Sequence, residues 1–494
     1  MGPEHTGELN STHADSHSNH SRWHSLSSRP HDNSLYSITR RSSPRKPLAF
    51  AIILALTASA VQAKVSQEEA AMLGKTLTPM GAKMAGNPDK TIPAWTGGIT
   101  SLPPNYSPDQ HPVDPFKSDT PLFTIDSNNY TQYQDKLSPG QVALFQTYPN
   151  WKMKIYPTRR SASYPQYVYD ATRRNATNST LNESGYGVKN AIVGTPFPIP
   201  KSPIEMIYNH TMRWRSERVN REITQAVPTV GGAYTPVTFK ESILFDYNSK
   251  TATPEQIDQS NILFHFKQEV TSPARLAGSI LLVHETLDQQ REPRRAWIYN
   301  VGQRRVRRAP NVSYDNPGTA SDGMRTADNF DMFNGSPDRY EWKYVGKKEL
   351  YIPYNSYALL DSKLSYDDIL LPGHINPEHT RYELHRVWQI EGTLKKGINH
   401  LYSKRVFFLD EDTWQIAIAD HYDGRNKLWR VAEAHMINFY QIPNPWLTLE
   451  VLYDIQARRY LALGLTNNKP PYDFNPPLTE RDFLPSSLRR QGLR

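Results

Sequence analysis

Residues 386–433, RVWQIEGTLKKGINHLYSKRVFFLDEDTWQIAIADHYDGRNKLWRVAE, decide the fold. Four alternating or apolar runs, 386–394, 401–409, 415–422 and 427–433, are separated by the polar stretches LKKGINH, DEDT and DGRN. Short polar connections between such runs turn a chain back on itself, so this stretch predicts an antiparallel meander. Five further strand candidates lie upstream, at 238–247, 278–286, 294–300, 304–309 and 341–352. Two stretches read as amphipathic helices. In 203–222, Ile204, Ile207, Tyr208 and Met212 fall at helical spacing, and 254–270 follows the N-cap Thr253 with Pro254 at its first position. Nine strands and two amphipathic helices must bury their apolar faces against one another, and a sheet wrapped around helices is one of few ways to do so.

Composition agrees with a β-rich fold. The 494 residues include 28 Tyr, 16 Phe, 10 Trp and 39 Pro, with 37% hydrophobic and 21% charged residues, enough for a large core and too little for a bundle of membrane spans. Cysteine is absent, which excludes disulfides, thiolate metal sites, a thiol nucleophile and a lipidated cysteine anchor. Upstream, RRSSPRK (40–46), PLAFAIILALTASA (47–60) and Val61-Gln62-Ala63 read as the basic, apolar and cleavage regions of a secretory signal peptide, since a membrane span needs about 20 apolar residues. Residues 1–39, rich in Ser, His and Asn, are either an unstructured extension or lie upstream of the true start. After the signal, the sixteen prolines of 64–200 predict a proline-rich N-terminal wrap over 64–202, with helix caps at Ser66 and Ser138, followed by a sheet domain over 203–460 and a tail over 461–494.

The segment REPRRAWIYNVGQRRVRRAP (291–310) carries seven arginines and reads as a hairpin. With Val301 and Gly302 as the turn, Tyr299 opposes Arg304 and Trp297 opposes Val306, which places Trp297, Tyr299 and Val306 on one face and Arg305, Arg307 and Ile298 on the other. Those arginines either solvate an edge or contact an anion or a partner surface, because guanidinium forks bind carboxylates and phosphates. The loop that follows holds Asp315, Asp322, Asp328, Asp331 and Asp338, but their spacing fails the calcium-loop pattern, and Asx-turns with helix caps explain it better. Among the histidines from residue 64 on, His374 and His379 come nearest to a cluster. None stands in an HExxH, nucleophile-elbow or phosphate-loop context, so no catalytic residue, metal or cofactor is expected. Nucleic-acid signatures are absent too.

Three long motifs carry a resemblance: LGKTLTPMGAKMAGN with IPAWTGGI within 65–100, the block RRAWIYN to RYEW (294–342), and LPGHINPEHTRYELH to RVAEA (371–434). They closely resemble the exported bacterial family filed as domain of unknown function 1329, and more distantly the outer-membrane lipoprotein-sorting carriers of LolA and LolB type. The resemblance implies an α+β, mainly β fold: a large curved antiparallel sheet forming an incomplete barrel, with helices on its concave side and an apolar cavity suited to acyl chains. It implies a periplasmic, non-catalytic carrier of a lipid or other hydrophobic molecule, or else an adaptor without cargo, with a resistance-nodulation-division type exporter or an outer-membrane protein as partner. Within such a fold, strand parity nominates Trp297, Tyr299, Trp388, Ile390, Phe408 and Ile416 as ligand-lining residues, each of which would otherwise be plain core, and Arg305 and Arg307 as the partner contact. N-terminal sequencing of the exported protein is expected to begin at Lys64; recovery of the uncleaved chain in the inner membrane would contradict the signal reading.

Overall fold

The turns of the meander form as the sequence dictates, and they belong to one sheet of fifteen strands. The computed structural model describes residues 65–310, 312 and 314–491, so the signal segment, residues 1–39 and the expected start at Lys64 lie outside the described residues. In chain order the strands are β1 Phe123–Ile125, β2 Met153–Ile155, β3 Arg218–Ala226, β4 Val237–Leu244, β5 Ile262–Ser272, β6 Ile280–Thr286, β7 Arg295–Asn300 and β8 Arg305–Arg308. They continue with β9 Tyr340–Pro353, β10 Tyr382–Leu394, β11 Lys404–Asp410, β12 Ile416–Tyr422, β13 Leu428–Phe439, β14 Asn444–Asp454 and β15 Arg459–Leu465.

Two antiparallel meanders, β3 to β8 and β9 to β15, join where Ala462 of β15 pairs with Ala226 of β3. The sheet stays open, with β8 and β9 each holding one neighbour, while β1 and β2 extend it through a single parallel bridge, Tyr382 to Ile155. Mainly β with short helices and no closed barrel, the architecture is the one expected.

Several local expectations change. The stretch read as a helix over 203–222 is helical only over Pro203–Thr211; Arg218–Ala226 is β3, because RVNREITQA also alternates and pairing with β4 and β15 on either side outweighs local propensity. The helix from Pro254 stops at Ser260, where Asn261 takes a left-handed conformation (φ 56°), and ILFHFKQEVTS continues as β5. Thr253, Ser138 and Ser66 cap their helices, each with a reciprocal bond from the third helical residue. The strands β14 and β15 were not anticipated, and β15 runs across the boundary drawn at 460, so residues 461–465 are sheet rather than tail. In the arginine hairpin, Tyr299 faces Val306 and Trp297 faces Arg308, two residues from the expected register; a shift by an even number leaves the faces unchanged.

Both sheet faces are covered. One, here the inner face, carries Ile390, Phe407, Leu409, Ile416, Ala432 and Leu461 in the largest core cluster, together with Met206, Ile207 and Tyr208 of the helix Pro203–Thr211 and Val168 of the helix Gln166–Asn178. On the opposite side, Val431, Val451 and Tyr453 pack with Leu144 and Phe145 of the helix Pro139–Thr147. Helices therefore serve both faces, since the N-terminal wrap carries its own helix to the side away from Pro203–Thr211.

The connection 309–339 links the edge strands β8 and β9 and so must cross a face. It crosses the inner one as a strap. Gln225 of β3 donates to the carbonyls of Thr319 and Ala320, Arg430 of β13 to that of Gly323, and Phe333 packs on Phe407 of β11. Two of its aspartates are anchors rather than loose turn residues. Asp328 binds Arg405 (2.8 Å) and His400 (3.1 Å), and Asp331 holds both Arg213 (2.6 Å) and Arg215, all of them buried. Burial alone would raise the Asp331 carboxyl, but the two guanidiniums outweigh it and hold it at about 2.

Removing Asp331 leaves two arginines buried without their carboxylate, so Asp331→Ala is expected to cost about 3–5 kcal/mol in urea denaturation. Asp322→Ala, at a 63% exposed side chain paired with Arg459, should change stability by less than about 1 kcal/mol. Equal effects of the two would refute the strap as the anchored element.

Candidate functional site

β5 and β6 alternate cleanly, sending Phe264, Phe266 and Gln268, and Leu281, Val283 and Glu285, to the inner face, with Ile298 of β7 beside Leu281. Where the strap passes over these strands it does not pack down fully. Pro317, Gly318, Thr319, Arg325, Ala327 and Phe330 roof a chamber of about 340 Å³. The space opens to solvent beside Ile298, which is 40% exposed, and its wall is mainly aromatic and aliphatic, as the walls of ligand pockets are. Clefts of about 610 and 540 Å³ lie elsewhere, the first among loop residues near Arg275, Asp322 and Arg459, the second around Glu217, Asp246 and Glu480; neither has such an apolar wall.

Polar groups enter the chamber at several places, and Gln268 there donates to Glu241 (2.7 Å). Arg294 pairs with Glu285 (2.7 Å), whose carboxylate also accepts from Asn334 (3.0 Å). Arg325, 6% exposed, lines the opposite wall.

The six nominated lining residues do not meet. Trp297 and Tyr299 face away from the chamber, under Phe483 and Leu488 of the C-terminal segment, and their neighbour Ile298 takes the chamber position. Phe408 lies on the outer face with Val406 and Ile418. Ile390 and Ile416 are fully buried in the inner core, and Trp388 packs beside them on Trp414, whose indole N–H donates to the Met80 carbonyl at 2.8 Å. The N-terminal wrap thus fills the inner face of the second meander, and the open space lies under the strap of the first. The nominated set mixes the two faces, because alternation sorts the residues of one strand without saying which set shares a face with the next strand or which face holds the space. The missed residues, Phe264, Phe266, Leu281 and Val283, sit in alternating runs; reading 254–270 as one helix hid the first pair.

Arg305 and Arg307 are exposed on the edge strand β8, with Arg307 directly opposite Ile298, and neither has an ion pair among the described residues. His374 is buried and donates its Nδ1–H to the Ile375 carbonyl at 2.8 Å, and His379 stands apart from it in a separate turn.

A second polar cluster joins wrap to sheet. His385 of β10, stacked on Tyr354, lies between Glu383 (3.3 Å) and Asp410 (3.4 Å), while Asp412 takes a two-pronged bond from Arg160 (2.9 and 2.6 Å). Ligand atoms of His385, Asp410 and Asp412 lie within 4.8 Å of one another. A cation there would have to displace Arg160 and the imidazole proton, so the arrangement is read as a clip. Burial opposes the charge on His385, but hydrogen bonds and charge from Asp410 and Glu383 outweigh it and lift the imidazole to about 9.

Open sheet, strap and chamber define a β-sheet protein with a half-open apolar space beneath a crossing loop. The chain belongs to the family described as Protein of unknown function (DUF1329), whose model matches residues 124–489. It is 54% identical to the uncharacterized protein PA3922 of Pseudomonas aeruginosa over 445 residues, 90% of this chain and 97% of that one. Solved structures similar to part of it include a DUF1329 family protein from Desulfovibrio piger (16% identity, TM-score 0.39) and an outer membrane lipoprotein-sorting protein domain from Vibrio parahaemolyticus (13%, TM-score 0.38), each covering 55% of this chain and 92% of the other. A LolA superfamily protein from Nitrosomonas europaea aligns over the same shares at 12% identity and TM-score 0.33.

The clip has a signature in pH. A histidine raised to about 9 when folded contributes stability that is complete below its unfolded pKa near ~6.5 and is lost as pH rises through 9. Denaturation midpoints should therefore fall between those values by an amount on the order of 3 kcal/mol in stability. His385→Gln should be less stable at neutral pH and flatter across this window; an identical slope in the variant would refute the charged clip.

Proposed function

We propose that the protein is an exported, non-catalytic carrier that holds a lipid or other hydrophobic molecule in the chamber between β5–β7 and the strap. It would work in the periplasm with an envelope export system, such as a resistance-nodulation-division type exporter or an outer-membrane protein. The observation that carries the reading is the chamber itself, about 340 Å³ walled by Phe264, Phe266, Leu281, Val283, Ile298 and Phe330. The signal-like segment at 40–63 supports export, and no helix of the described residues is long and apolar enough to cross a membrane. A second reading, an adaptor without cargo, is favoured by Arg305 and Arg307, which stand exposed and without ion pairs on an edge strand.

Organic extraction of the purified protein, together with titration of a neutral fluorescent probe, separates the two. As a carrier, the wild type releases a hydrophobic molecule or binds the probe at one site per chain, and Leu281→Trp, which puts an indole into the chamber, abolishes binding with little change in melting temperature. An empty extract, no probe binding and a silent Leu281→Trp would leave the adaptor.

A further inference from the structure

The inner face is crowded with buried charge, and among the described residues all but one of its buried arginines have a carboxylate in contact. Arg213 and Arg215 share Asp331, Arg221 holds Glu241 (2.7 Å), Arg294 holds Glu285 (2.7 Å) and Arg405 holds Asp328 (2.8 Å). Arg325 is the exception. Its guanidinium makes no hydrogen bond or ion pair to any described residue, its Nε is buried without an acceptor, and it lies in the chamber wall. The Phe330 ring, 5.9 Å from Cζ, offers only a weak cation–π contact. Glu450 and Glu241, the carboxylates nearest in charge, are beyond contact, and burial pushes the Glu450 carboxyl up to about 8.

A buried charge without a partner is costly, and folded proteins retain one where something else supplies the counter-charge. We propose that the chamber takes an anionic amphiphile, whose apolar tail lies between Phe264, Phe266 and Val283 and whose carboxylate or phosphate headgroup is bound by the Arg325 guanidinium. The inference rests on the carrier reading and deepens it. Three features agree. Aromatic and aliphatic walls suit a tail, and a guanidinium fork matches an oxyanion in a two-pronged geometry. The fork rests over Gly318, where any Cβ would come within 2.7 Å of Cζ, so the backbone leaves room for it. Arg307, opposite Ile298 on the same face, adds positive potential at the edge from which an anion would approach.

The test is displacement of bound N-phenylnaphthylamine, a neutral probe, by dodecanoate, dodecyl phosphate and dodecanol, with the full mature chain and with Arg325→Met, Arg325→Lys and Gly318→Ala. In the wild type at least one anion should displace the probe at about a tenth of the dodecanol concentration, a factor equivalent to about 1.4 kcal/mol. Displacement by dodecanoate alone assigns a fatty acid, and by dodecyl phosphate alone a phosphate monoester. Arg325→Met should bring anion and alcohol within about twofold without lowering the melting temperature, because it removes an uncompensated charge. Arg325→Lys should retain part of the preference, and Gly318→Ala, by pushing the fork aside, should weaken it. Equal displacement by alcohol and anions in the wild type, or a preference unchanged in Arg325→Met, overturns the headgroup assignment while leaving the carrier reading standing. Failure of the probe and all three ligands to bind overturns both.

Discussion

Asp331 lies where three parts of the chain meet. Its carboxylate binds Arg213 and Arg215, in the turn between the helix Pro203–Thr211 and β3, and its own carbonyl accepts from His210 at 2.9 Å. Met332, next in sequence, donates its N–H to Glu450 of β14 at 3.3 Å. A connection from β8 to β9 has to travel between the two edges of the sheet, and without a strong internal anchor it would leave the inner face of both meanders in solvent. Two buried guanidiniums on one carboxylate supply that anchor, and Asp328 with Arg405 supplies another a few residues earlier. Before those two anchors, from Pro317 to Arg325, the strap is held to the sheet by Gln225 at Thr319 and Ala320 and by Arg430 at Gly323, and this span lines the chamber together with Ala327 and Phe330.

The inner face of the second meander has been filled by a different device. Met80, Tyr164 and Val168 of the wrap join Ile390, Leu409, Trp414 and Ile416 in one core, and the wrap is held by Arg160 on Asp412, by the Asn355 amide to the Arg159 carbonyl, and by Trp414 to Met80. Filling one half of the inner face and bridging the other leaves the apolar space under the strap instead of a continuous trough. A carrier built this way would admit its cargo at the β7–β8 side, where the strap begins and the arginines of the edge hairpin stand.

Much of this was legible in residues. Alternation with DGRN-type turns located the meander, and even-numbered register shifts preserved the faces of the arginine hairpin. Helix starts were readable from Ser138-Pro139 and Thr253-Pro254, where side-chain caps and proline act locally. Helix ends were not. RVNREIT and ILFHFKQEV satisfy either periodicity in part, and pairing with distant strands decided between them. The site was the least legible element. Whether Trp388 or Phe266 borders a space depends on what covers each face, and the covers, a wrap from residues 80–168 and a strap from 317–334, are mostly irregular segments with only short regular elements. Arg325 gave no signal because its distinction is the absence of a partner, visible only once every neighbouring arginine has been matched to its acid.

The central claim is that the space under the strap holds a tail with its anionic head on Arg325. Crystals of the mature protein grown with bromododecanoate, brominated at the terminal carbon, test this by anomalous diffraction. The account predicts a bromine peak among Phe264, Phe266 and Val283 with carboxylate density at the Arg325 guanidinium. Bromine in the cleft beside Arg275 and Arg459, or no ordered ligand in a chamber that stays empty, would contradict it.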